Sequence, residues 1–371
     1  MTQATTAAAP LQEARLAPGS RTDRAIKRRR VLDILDAAGR DSLLLTSNTA
    51  LTWYLDGSRV HISLAGDPIA ALLVDRSGDH LVTFNNEAGR IAAEELPAQV
   101  NLHTVPWYGN LHQAAAAIGT STQPPLAEAE AATELRAARQ QLLPAESARY
   151  SLLSAELAAI LTDVLSAARP DTTEFGLVSA LAARVVAAGA EPLVLLCNGS
   201  SRSAFRHPLA THSPLGRRAM AVVCARRDGL VANITRWARF DASTPEERDA
   251  EARIAAVEAD IFDATVPGAR LDRIFAEIQA AYVRHGFGAD QWEQHHQGGP
   301  AGYAGRDPRV TSSATDAVVL DQAFTWNPTG PGVKIEDTVQ LTDSGLRILT
   351  VDPRWPVTTV NGLARPVTLQ L

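Results

Sequence analysis

One pair of helix-end markers recurs at a fixed offset, and it constrains the second half of the chain more than any other feature. Pro170 and Pro267 lie 97 residues apart, and so do Gly189 and Gly286. A proline ahead of an apolar-periodic stretch and a glycine behind it are the start and stop of a helix. Between these markers Leu177, Val178, Leu181 and Val186 are matched at the same offset by Ile274, Phe275, Ile278 and Val283. Helical periodicity alone would give the apolar matches but not both end markers together. Strand-rich sequence follows each helix, over 193–239 and 317–351. The pattern reads as an internal duplication, and a site is expected between its halves.

The other helix signals of this half agree. A long helix over 145–168 is stopped by Pro170, and Asp171-x-x-Glu174 reads as the capping box of the next one. Thr244-Pro245-Glu246-Glu247 supplies a Thr cap, a proline at the first helical position and a glutamate at the third. Ahead of this region the pattern alternates helix and strand. Apolar runs at 42–46, 70–74 and 80–84 are separated by turns such as Asp56-Gly57 and Ser77-Gly78-Asp79. The fold class expected is α/β (α+β): a small N-terminal domain over 21–142 with a mixed sheet, then a duplicated domain over 143–371. Residues 1–20, rich in Ala and Thr, read as a disordered tail without an apolar leader.

Charge excludes several classes of partner. Thirty-five basic residues stand against 41 acidic ones, a net −6, and aromatics are 5%. Neither nucleic acid nor an anionic membrane is expected to bind such a surface. The basic run Lys27-Arg28-Arg29-Arg30 reads as the solvated face of a helix. No apolar run is long enough to span a bilayer. Cys197 and Cys224 are too few for a disulfide framework and read as buried strand thiols of a reduced, cytoplasmic protein. H-E-x-x-H, the P-loop and G-x-S-x-G are all absent. The stretch 298–302 is glycine-rich, but Pro300 removes a donor that a phosphate cradle needs.

Four segments place polar residues in apolar surroundings. They are Arg206-His207-Pro208; Asn233-Ile234-Thr235-Arg236; the stretch 295–307 from His295 through Gly302-Tyr303 to Arg306-Asp307; and Trp326-Asn327-Pro328 with Lys334-Ile335-Glu336-Asp337-Thr338. In order and spacing they resemble the creatinase, aminopeptidase P and prolidase family, whose fold is called pita bread. The resemblance covers essentially the whole chain, including the N-terminal α/β domain and the pseudo-twofold catalytic domain.

Metallopeptidases of that family hold two divalent metals with two Asp, one His and two Glu. By the resemblance, the Asp of their D-x-T-R falls on Asn233, and the other Asp lies eleven residues earlier, near Val222. The His of their G-H-G falls on Gly299 and the Glu of their E-P-G on Asn327, while the last Glu persists as Glu336. One carboxylate and two neutral amides cannot balance two dications. The expectation is therefore no metal and no other cofactor.

Positions flanking the family's metals survive better. His207 matches its catalytic His, His295 matches the His that opens the glycine motif, and Arg306-Asp307 stands where the metal enzymes have His-Glu. The resemblance implies a metal-independent enzyme, on the precedent of creatinase, acting on a C–N bond of a small amino-acid-like substrate. His207, Glu336, Arg306 and His296 are expected to be catalytic. Asn233, His295, Asp307, Asn327 and Tyr303 are expected to bind the substrate. Of His295 and His296, alternation along an extended segment would bring only one to the site. Glu336 has a structural alternative, an ion pair with Arg306 or Lys334. A homodimer is implied, with Trp53-Tyr54 or Trp107-Tyr108 lining a neighbouring cleft. Two other readings stay open: a pseudo-peptidase used for binding, and an Xaa-Pro aminopeptidase with an atypical site.

Overall fold

The computed structural model describes residues 21–371 apart from Thr120, so the expected tail over 1–20 lies outside the described residues. The chain divides into two compact units, which part between Arg139 and Gln140.

The first unit runs α1 (Arg21–Ala38), β1 (Ser42–Leu45), α2 (Asn48–Tyr54), β2 (Ala70–Asp75), β3 (Asp79–Phe84), α3 (Ala88–Arg90, continued by a π turn Ile91–Glu95), β4 (Val100–Val105), α4 (Leu111–Ala116), β5 (Leu126–Ala127) and α5 (Ala132–Gln140). Its mixed sheet has the order β4-β3-β2-β1-β5, antiparallel through the middle and parallel at both edges. The basic run is a solvated face only in part: Arg29 is exposed, but its neighbours are drawn inward. Lys27 is fully buried, donates to the Trp53 carbonyl at 2.7 Å and pairs with Asp56. Arg24 and Arg28 both pair with Asp79. Polar partners waiting at the ends of α2 and β3 are what make this burial tolerable, and sequence periodicity does not reveal them. Trp53 and Tyr54 are buried too, whereas Trp107 and Tyr108 are exposed.

The second unit continues with α6 (Pro144–Ser166), α7 (Glu174–Ala187), β6 (Glu191–Gly199), β7 (Arg218–Arg227), β8 (Leu230–Arg239), α8 (Pro245–Ala264), α9 (Leu271–Arg284), β9 (Gly298–Ala301), β10 (Ala323–Trp326), β11 (Thr329–Gly330), β12 (Val333–Lys334), β13 (Asp337–Thr342), β14 (Gly345–Ile348), β15 (Val357–Val360), β16 (Leu363–Pro366) and β17 (Leu369–Gln370). The duplication is visible in the helices: α7 and α9 each have 14 residues and begin 97 positions apart. Gly189 and Gly286, behind them, take left-handed φ values of 70° and 74°, which glycine adopts without a Cβ penalty. Asp171 is not the cap of α7. Thr173 fills that place and accepts from Gly176 N–H at 3.0 Å. Glu174 is thereby released to collect Gly199 N–H, the Thr211 N–H and hydroxyl, and Arg202. At Thr244 the expected capping box forms with Glu247.

Two four-stranded sheets carry the site, one ordered β17-β8-β7-β6 and the other β14-β13-β10-β9. They meet along a seam. Thr235 N–H donates to the Glu336 carbonyl at 3.1 Å, and Asn233 N–H donates to Thr338 Oγ1 at 2.8 Å. Thr338 returns its own proton to the Asn233 carbonyl.

Candidate active site

Three imidazoles converge beside this seam. His207 stands on the loop between β6 and β7, which is fastened at its base by Arg202 to Glu174 and to the Leu209 carbonyl. Arg206 ties the same loop to the Gly330 carbonyl at 2.6 Å. His207 Nε2 lies 3.0 Å from His295 Nε2, and the His295 and His296 rings stack with centroids 4.4 Å apart. Both histidines therefore face the site, against the alternation expected of an extended segment. His295 bends back so that its Nδ1 meets the His296 carbonyl at 2.6 Å. A carbonyl only accepts, so Nδ1 carries the proton and Nε2 of His295 is a lone pair. His207 Nε2–H then donates to it, leaving Nδ1 of His207 as the free base.

Burial, reinforced by Lys334 and the neighbouring His296, pushes the His295 imidazole down to about 3. Burial and then Arg306 push His296 down to about 4. Burial also lowers His207, with Lys334 the next cause. All three are neutral bases in the folded protein, while the unfolded chain binds protons near 6.5. Unfolding therefore takes up protons below that value, and stability is lost as pH falls from 6.5 through the folded values. The melting temperature is expected to drop between pH 6.5 and 4, with a shallower drop in His295→Gln/His296→Gln. An equal slope in both proteins would contradict the assignment.

Glu336 is 2% exposed and saturated. Its Oε1 pairs with Arg306 Nη2 at 2.9 Å, its Oε2 pairs with Lys334 Nζ at 2.9 Å, and Thr235 Oγ1 donates to Oε2 at 2.6 Å. These partners hold its carboxyl far below the usual carboxylate range despite the opposing cost of burial. Lys334 is the residue that the expected site lacked. Its signal is the i, i+2 spacing in Lys334-Ile335-Glu336, which puts both side chains on one face of an extended strand.

The remaining residues divide. Asn233 is buried on β8, and its Nδ2 donates to Thr325 Oγ1 at 3.2 Å. Asn327 is buried, with an Oδ1 that meets no donor among the described residues. Nδ1 of His296 and Nε of Arg306 are likewise buried and unpartnered. Asp307 is half-buried, and its N–H donates to the Pro300 carbonyl. Tyr303 is occupied elsewhere: its hydroxyl donates to Glu146 at the start of α6, at 2.6 Å. Val222 packs in an apolar cluster with Leu196, Met220 and Trp237. Cys224 pairs with Asn233 across the strands, and burial, with Glu336 nearby, pushes its thiol up to about 12, where it is no nucleophile at neutral pH.

Several solved structures share this fold. The dipeptidase PepE from Mycobacterium ulcerans superposes with a TM-score of 0.74 at 17% identity, over 96% of this chain and 100% of that one. The prolidase from Pyrococcus horikoshii OT3 gives 0.73 at 15%, over 88% and 99%. The N-terminal domain of the FACT complex subunit SPT16 from Cicer arietinum (chickpea) gives 0.63 at 13%, over 89% and 97%. No curated protein matches the chain. The family description "Metallopeptidase family M24" matches residues 153–343, just over half of the sequence and most of the second unit. The chain belongs to that family, which has the pita-bread fold and hydrolyses C–N bonds.

Proposed function

We propose that this chain is a metal-independent member of the family that hydrolyses a C–N bond in a small substrate bearing a carboxylate. The observation that carries the reading is the occupancy of Glu336. Each of its oxygens already faces a tethered cation, Arg306 or Lys334, so it has no free oxygen for a metal ion. Gly299 argues the same way. A Cβ there would lie 2.6 Å from the Pro308 carbonyl oxygen, so the backbone has closed over the place of a histidine. Val222 offers no donor, and Asn233 supplies only a neutral amide. The residues present do not fit a dinuclear centre.

In their place the site offers charge and bases. Arg306 and Lys334 share one carboxylate, which leaves one positive charge over in a buried trio, suited to a monoanionic substrate. The free Nε of Arg306 is a donor for that carboxylate. Nδ1 of His207 takes a proton from water as the water oxygen attacks the amide carbonyl. The same proton then passes to the leaving nitrogen as the C–N bond breaks. Asn327 Oδ1 accepts from the substrate N–H and sets its orientation. Asp307 and His296 line the substrate's path in this reading.

A chelator tests it. EDTA is expected to cause no loss of turnover, and a chelator-induced loss that two equivalents of a divalent metal reverse would restore the Xaa-Pro aminopeptidase reading. The proposed assembly is a homodimer. Its test is light scattering, which would exclude it by returning the monomer mass of 39.5 kDa at all working concentrations.

A further inference from the structure

We infer that His207, His295 and His296 form a capture site for one borderline dication such as Zn²⁺, and that its occupation silences the site. The silencing rests on the role proposed for His207; the binding does not. One ligand nitrogen from each ring lies within 4.8 Å of the other two, and the His207 and His295 Nε2 atoms are already 3.0 Å apart. Zn–N bonds of about 2.0–2.1 Å in a tetrahedron set neighbouring nitrogens at roughly 3.3 Å, so the third ring need close by only about 1–2 Å. His295 is prepared for this. Its Nδ1–H is held by a backbone carbonyl, the outer contact that fixes a metal-binding imidazole with its Nε2 lone pair pointing inward. His296 adds a buried Nδ1 with no partner among the described residues.

The donor set selects the ion. Three imidazoles without a carboxylate suit Zn²⁺, Cu²⁺, Ni²⁺ or Co²⁺ and give Mg²⁺ or Ca²⁺ no oxygen to bind. Lys334 and Arg306 nearby repel any cation, so only an ion with strong affinity for nitrogen enters. None of the three rings occupies a position where the family's metallopeptidases hold their two metals. On binding, Nε2 of His207 gives its lone pair to the metal. The proton it carried moves to Nδ1, and the ring keeps its neutral charge. No lone pair is then left on His207 for general base work.

The experiment uses the full chain, stripped of metal and titrated with Co²⁺. One equivalent is expected to produce the visible ligand-field bands of a four-coordinate ion, and Zn²⁺ is expected to displace it. His296→Ala and His207→Asn should each weaken Zn²⁺ binding about tenfold or more, and His212→Asn, on an exposed histidine outside the cluster, should not. Diethyl pyrocarbonate, which acylates unprotonated imidazole, should modify the exposed His207 in the metal-free protein and spare it once Zn²⁺ is bound. Absence of binding, or unchanged affinity in both cluster variants, overturns the capture site and leaves the metal-independent reading standing. Two equivalents bound with gain of turnover overturns both. One equivalent bound with His207 still fully reactive overturns the silencing.

Discussion

Replacing His207 with Asn is expected to lower turnover by about a hundredfold or more while leaving the melting temperature within a degree or two. The stability half of this expectation follows from position. His207 is exposed on a loop held by Arg202, Arg206 and Glu174, so its ring closes no core. The turnover half follows from the tautomer and basicity of the neighbouring ring. His295 has its proton fixed on Nδ1, and the amide introduced by His207→Asn can cap its Nε2 lone pair in place of the imidazole. Burial pushes the His295 imidazole down to about 3, so it is too weak a base to replace His207. Turnover of the variant at the wild-type rate on any substrate found by a thermal-shift screen would refute the mechanism. In the pseudo-peptidase reading there is no turnover to lose, and the same substitution changes only ligand affinity.

Glu336→Gln is expected to damage the fold first. Glu336 is the carboxylate that pairs with both Arg306 and Lys334, and all three side chains are at least nine-tenths buried. Removing its charge strands two buried cations, an effect on the order of 3–5 kcal/mol. A denaturant titration should show the loss as a lower midpoint at unchanged slope. Adding Lys334→Met removes one stranded cation and should recover part of it, because the two sites are in contact and non-additive. A single variant as stable as wild type would mean that the ion pairs contribute nothing and that Glu336 is free to act on substrate.

These expectations show where sequence carries information and where it stops. The 97-residue offset between Gly189 and Gly286 was legible because a left-handed turn needs glycine and leaves a mark in the chain. His207, Arg306 and Glu336 were legible through their order and spacing. The burial of Lys27 was not, since its partners Trp53 and Asp56 lie more than 25 residues away. Nor was the shared facing of His295 and His296, whose rings stack beside a His295 side-chain to His296 backbone hydrogen bond that no periodicity signals. The saturation of Glu336 was legible only as an alternative. Its partners came from a loop thirty residues away and from the next position but one along the strand, and no local pattern decides between pairing and catalysis.

The seam between the two sheets has a kinetic consequence. Thr235 and Glu336 are 101 positions apart, yet Thr235 donates both a backbone and a side-chain hydrogen bond to Glu336 at the point where the halves join. Contacts of such separation form late, because loop-closure entropy opposes them until local structure is in place. Each half is expected to assemble its own hairpins and helices before the two dock. Glu336 would then wait without Thr235 until the last step, so the order in which this protein matures ends at the same atoms that define its site.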